Sequence, residues 1–84
     1  MSLLSVLENF MVNKKDYYMI EKDNKKLTYR RRWRELEEIT FKEIFDGECL
    51  EVTVPIGKVQ YYRRLKKNKI TEDELIKFID NKLD

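Results

Sequence analysis

The chain contains no histidine and no alanine, one cysteine, one proline and two glycines. Each shortage excludes something. Without histidine there is no imidazole base, no His-containing catalytic triad and no His ligand for zinc. A solitary Cys49 permits neither an intramolecular disulfide nor a cysteine metal cluster. No apolar run approaches the ~18 residues of a membrane span. The opening Met1-Ser2-Leu3-Leu4 also lacks the basic stretch of a signal peptide, so a soluble, cytoplasmic protein is expected. The missing alanine, together with abundant Lys, Ile, Asn and Tyr, reflects A/T-rich codon usage. That usage fits a low-GC bacterium, its phages or some archaea.

What remains is a compact, highly charged chain. Its 84 residues suit one small domain spanning 1–84. Leu, Ile, Val and Phe make up about 30% of the chain, above the ~20% below which a charged chain stays disordered. Eighteen basic and 16 acidic side chains give a net charge of only +2. They are segregated, however: residues 13–34 sum to +6, 35–51 to −6, and 52–69 to +6. Such blocks can build opposed faces, whereas interspersed charge usually only solvates a surface.

Periodicity gives the elements. Leu3, Leu4, Val6, Leu7, Phe10 and Met11 recur at helical spacing, predicting a helix over 3–12. Residues 17–22 are rich in β-formers, Asp23-Asn24 is a turn pair, and Leu27, Tyr29 and Trp33 alternate beyond it, predicting a hairpin over 17–33. A second hairpin is expected over 49–65, with Leu50, Val52 and Val54 alternating before Pro55-Ile56-Gly57 and Val59, Tyr61 and Leu65 inward after it. Thr40-Phe41-Lys42-Glu43 and Thr71-Glu72-Asp73-Glu74 both fit the capping box, each with an isoleucine before the Thr and an apolar residue four positions after it. They predict a short helix over 41–46, stopped at Asp46-Gly47, and a longer one over 72–83. Residues 34–40 fit either a strand extension or a helical turn. The fold class is α+β in the order α-β-β-α-β-β-α, a four-stranded antiparallel sheet of two hairpins with helices on one face.

Catalysis has little to stand on. Glu35, Glu37, Glu38 and Glu43 cluster, and paired carboxylates can exchange protons or hold Mg²⁺. They have no phosphate loop or histidine beside them, and a solvated acidic face is the expected reading. Gly57-Lys58 lacks the rest of a P-loop, and neither hairpin carries the separated acids and Glu-X-Lys of a small metal-dependent nuclease. Cys49 alternates away from the core with no neighbouring base, which makes it an unreactive strand residue. No enzyme, cofactor, metal site or membrane partner is expected.

The basic strands are more informative. If Leu27, Tyr29, Val59 and Tyr61 face the helices, period-2 geometry puts Arg30, Arg32, Lys58, Tyr62, Arg64 and Lys66 on the opposite face, with Tyr17 and Met19 beside them. Cations that neutralise phosphate and tyrosines that stack on bases are the elements of single-strand and RNA-binding sheets. These six residues are the candidate nucleic-acid site, although the chain matches no RNP1, helix-turn-helix or zinc-knuckle pattern. The plainer reading is a solvated face whose Lys and Arg block edge pairing. Arg31 and Arg63 fall in the core-facing register, which requires a bulge, a position past the sheet edge, or a carboxylate such as Glu35, Glu37 or Glu51. The adjoining +6 and −6 blocks suggest an alternative: a homodimer, or a protein-interaction or inhibitor module. Size and codon usage suit a phage or mobile-element accessory protein. Trp33, the only tryptophan, is expected in the core.

Overall fold

The computed structural model describes residues 3–56 and 59–83, without the side chains of 34–36, 55–56 and 59–60. Helix α1 (Leu3–Met11) leads into a meander of five strands, β1 (Tyr17–Lys22), β2 (Lys26–Arg31), β3 (Arg34–Ile44), β4 (Cys49–Ile56) and β5 (Val59–Lys66). A single 3-10 turn (Lys67–Lys69) then connects to helix α2 (Glu72–Leu83). The sheet is antiparallel throughout, in the order β1-β2-β3-β4-β5.

The expected α+β class and antiparallel sheet are present, but the strands number five and the helices two among the described residues. The difference lies at 41–46, where the structure has the end of β3 and a turn in place of a short helix. Phe41 and Ile39 are fully buried and alternate with Glu38, Thr40 and Lys42, a period of two. As a strand, Phe41 lies between Leu27 of β2 and Val52 of β4. A six-residue helix would have left both of those strands without a central partner, and an isolated turn of that length is not self-supporting. The glycine signal survives in another role. Phe45, Asp46 and Gly47 all have left-handed backbone, with φ of 53°, 56° and 87°, and reverse the chain between β3 and β4.

The second capping box forms as its sequence predicts. Thr71 Oγ1 accepts from the Glu74 amide at 3.2 Å, and Glu74 Oε1 accepts from the Thr71 amide at 3.0 Å. Leu75, Ile79 and Leu83 turn inward from α2, and Leu3, Leu4, Val6, Leu7 and Met11 from α1. These stripes meet inward rows of the sheet, including Leu27-Phe41-Val52, Tyr29-Ile39 and Leu50-Leu65. Both helices cover this one face. Residue alternation therefore leaves the other face of the sheet without either of them.

Burial and the neighbouring Glu8 carboxylate push the Tyr29 hydroxyl up to about 12. It is neutral in the core at physiological pH.

The two look-alike motifs should separate experimentally. Thr71→Ala should destabilise the fold by about 1 kcal/mol. Thr40→Val, on a strand, should stay within about 0.5 kcal/mol of the parent; both are read by urea unfolding. The Thr71 amide and hydroxyl hold the Glu74 carboxyl below its ordinary 4.5. A depressed folded value means that this carboxylate's support is complete above 4.5 and is lost as pH falls through the folded value. Glu74→Gln should therefore be less stable than the parent at neutral pH and lose less stability on acidification.

Candidate nucleic-acid interface

Strand pairing lays the open face out in rows. Tyr18, Arg30 and Glu38 form one; Glu21, Thr28, Thr40, Thr53 and Tyr62 the next. Lys26, Lys42, Glu51 and Arg64 form a third, and Cys49 and Lys66 share the last. These rows carry five cations and three carboxylates, with a neutral run of threonines between the charged rows. Thr28 is buried, and its hydroxyl has no hydrogen-bond partner among the described residues. It serves that row as a β-branched packing residue.

Arg30, Arg32, Tyr62, Arg64 and Lys66 lie on or at the end of this open face, but they do not converge on one point. Lys58 lies outside the described residues. Arg30 donates to Glu38 Oε2 at 3.0 Å, and this bond, with help from Tyr18, raises its pKa above the ordinary arginine value. Arg32 comes after β2, in the turn; its guanidinium lies 5.3 Å from the Tyr18 ring and its Nε donates to the Lys15 carbonyl at 2.9 Å. Arg64 is three strands away. Its Nε donates to the Tyr62 hydroxyl at 3.2 Å, a bond that raises its pKa, and Glu51 is a looser neighbour at 3.7 Å. The same guanidinium lies 5.9 Å from the Tyr62 ring and 5.8 Å from that of Phe45. Tyr62 is 51% exposed and Phe45 61%, while the Arg64 side chain is 55% exposed. Lys42 and Lys66 are exposed at this corner and have no ion pair among the described residues.

The structure corrects several placements. Tyr17 and Met19 face the helices, opposite Arg31 and Tyr29, and Tyr18 takes the open face. Arg31 meets the helix side at a register shift in β2 and donates to Glu37 Oε2 at 3.2 Å, so a bulge and a carboxylate together resolve its inward register. Arg63 belongs to an edge strand and lays its guanidinium 5.2 Å from the Phe78 ring of α2 while staying exposed. Trp33, expected in the core, is 96% exposed. It occupies the β2–β3 turn with a left-handed φ of 69°. The residues two positions away on either side, Arg31 and Glu35, are charged, so the alternation that buries Leu27 and Tyr29 has already ended.

Sequence reasoning misses Phe45, Lys42 and Tyr18 for this face. The capping box at Thr40 places Phe45 and Lys42 in a short helix, whereas Ile39 and Phe41 taken as an alternating pair put Lys42 outward. The cluster Glu37, Glu38 and Glu43 does not form one site: Glu37 and Glu38 pair with arginines on opposite faces, and the Glu35 side chain is not among those described. Among the described residues no group of three or more His, Cys, Asp or Glu could hold a metal ion, and no helix is long and apolar enough to cross a membrane.

A left-handed conformation at a bulky residue costs about 1–3 kcal/mol, and glycine relieves it. Trp33→Gly should leave the fold as stable as the parent or more so. As the sole tryptophan, Trp33 should emit like a water-exposed indole in the native protein, with little shift on unfolding in urea. Comparison with known proteins finds no matching family model, curated protein or solved structure.

Proposed function

We propose that this protein is a non-enzymatic binding module that takes nucleic acid on the open face of its sheet. The observation that carries the reading is the corner at β5, where the Arg64 guanidinium is flanked by the exposed rings of Tyr62 and Phe45. Lys42 and Lys66 supply further charge beside it. Ring faces attract bases, and cations beside them neutralise the adjoining phosphates. Arg30 contributes less, because Glu38 already occupies its guanidinium. Contacts of these cations with phosphate carry no sequence information and weaken in salt, and the interleaved carboxylates reduce the net attraction. The opposed charge blocks pair within one chain as Arg30–Glu38, Arg31–Glu37 and Arg64–Glu51, which supports a ligand on the open face over the alternative of a homodimer or protein partner.

Fluorescence anisotropy with labelled oligonucleotides at two salt concentrations tests the reading. Dissociation constants near ~10⁻⁴ to 10⁻⁶ M, weakening as salt rises, are expected. Arg64→Ala should weaken binding across sequences and reduce the salt slope by about one, and Tyr62→Ala should cost about 1–3 kcal/mol of affinity. Glu51→Gln, which frees Arg64 from its carboxylate, should tighten binding. No binding at low salt, or binding indifferent to Arg64→Ala combined with Lys66→Ala, would overturn the proposal.

A further inference from the structure

Trp33 is the feature that the β5 corner does not explain. Its ring makes no stacking contact among the described residues, yet the turn beneath it is firmly tied. The Arg32 amide donates to the Asp16 carbonyl at 2.7 Å, and Arg32 Nε donates to the Lys15 carbonyl at 2.9 Å. Below the turn, Arg30 and Arg31 are anchored to Glu38 and Glu37 on opposite faces of the sheet. The backbone that carries the indole is therefore held, so stacking on Trp33 does not require the turn itself to be ordered. Arg32 stands beside it on the Tyr18 ring, and its side chain is exposed.

The pairing register places this turn and the Arg64 corner at opposite ends of the open face. Lys26 shares a cross-strand row with Arg64, so the two ends are separated by six residues along β2 and three strand spacings. That amounts to roughly 20 Å by 14 Å, a diagonal of about 24 Å, in a protein whose longest extent is 35 Å. Between the ends lie Thr28, Thr40 and Thr53, short and uncharged, over which a chain can lie flat.

We infer that Trp33 is a base-stacking residue at the second end of this track and that the ligand is single-stranded nucleic acid, held by Trp33 with Arg32 at one end and by Tyr62, Phe45 and Arg64 at the other. The inference rests on the open-face reading and specifies its ligand. Aromatic platforms at both ends need bases whose faces are free, which a single strand offers and a duplex hides in its stack. The neutral middle fits a ligand gripped at two places, with the intervening nucleotides in loose contact.

The sole tryptophan reports its own contact, so the intact protein needs no label. Oligothymidylates and oligouridylates of about 4 to 16 nucleotides cover the site sizes of single-strand-binding sheets, and a mixed-sequence duplex of matching length serves as the third probe. Single strands should quench Trp33 emission to saturation, whether the sugar is deoxyribose or ribose. Oligomers long enough to reach both ends should bind more tightly than the shortest. Trp33→Ala should weaken the long oligomers about five- to 150-fold, the range for one stacked base, and leave the shortest little changed. Trp33→Phe should keep most of the affinity and so distinguish a lost ring from a disturbed turn. Oligonucleotide binding that depends on Arg64 but neither quenches Trp33 nor responds to Trp33→Ala would overturn this inference and leave the β5 corner standing. Equal quenching and affinity with the duplex would overturn the single-strand assignment. No binding of any probe at low salt would overturn the open-face reading and this inference together.

Discussion

The packing of Phe41 between Leu27 and Val52 sets the phase of the whole sheet. Burying such a side chain stabilises a structure by about 1.5–3 kcal/mol, and here the ring also meets Tyr29 edge-on, with centroids 6.1 Å apart. Because strand residues alternate, an inward Phe41 sends Glu38, Thr40 and Lys42 outward. The neighbouring strands must then match that phase, since a slip of one residue would bring charge into the core. The open face, its threonine row and its charged rows are therefore consequences of the same constraint that builds the core.

How far the sequence reveals this depends on whether each signal is local. Helix α2 is legible almost in full, because its cap, its staple and its buried stripe all lie within 14 consecutive residues. The same code at Thr40 misleads because a capping box describes what a segment does when nothing else claims it. Two neighbouring strands claim Phe41, and that competition is not written near residue 40. Tyr17 and Met19 go to the unexpected face for a related reason: the β1–β2 register shifts between Met19 and Glu21, and that one extra residue flips every side chain before it. The inward arginines stand out in the sequence as a conflict, and Arg31 combines two of the three expected resolutions. Trp33 fails differently. Residue size argues for burial, while the charges at Arg31, Arg32, Arg34 and Glu35 argue for a turn, and the local neighbourhood prevails.

The meander also transforms the charge pattern. Segments of opposite sign that succeed one another along the chain become neighbours across the sheet, so β2 lies beside β3 and β4 beside β5. Exposed pairs of this kind contribute little stability. Their main effect is to make strand order and register electrostatically consistent and to leave a modest positive excess. The residual cations are unevenly placed. Lys42 and Lys66 have no ion pairs among the described residues at one corner, whereas Arg30 is held by a carboxylate and Arg32 by a backbone carbonyl.

Net charge is therefore a poor guide to what this surface can hold, and the pairing of guanidinium with ring is a better one. An arginine resting on an aromatic side chain loses less hydration than one buried alone, and it keeps donors free at its edge. The open face has this arrangement at both ends, at Arg32 on Tyr18 and at Arg64 beside Tyr62 and Phe45. Next to each stands an aromatic side chain in left-handed backbone, Trp33 and Phe45, both largely exposed. Neither conformation helps the fold, since smaller residues would occupy those turns with less strain and less exposed apolar surface. Two turns at opposite ends of one face thus share a strained aromatic residue beside a ring-supported arginine. That recurrence has no stabilising role in the fold, and it supports the proposal that the face holds a flexible anionic chain at two separated points.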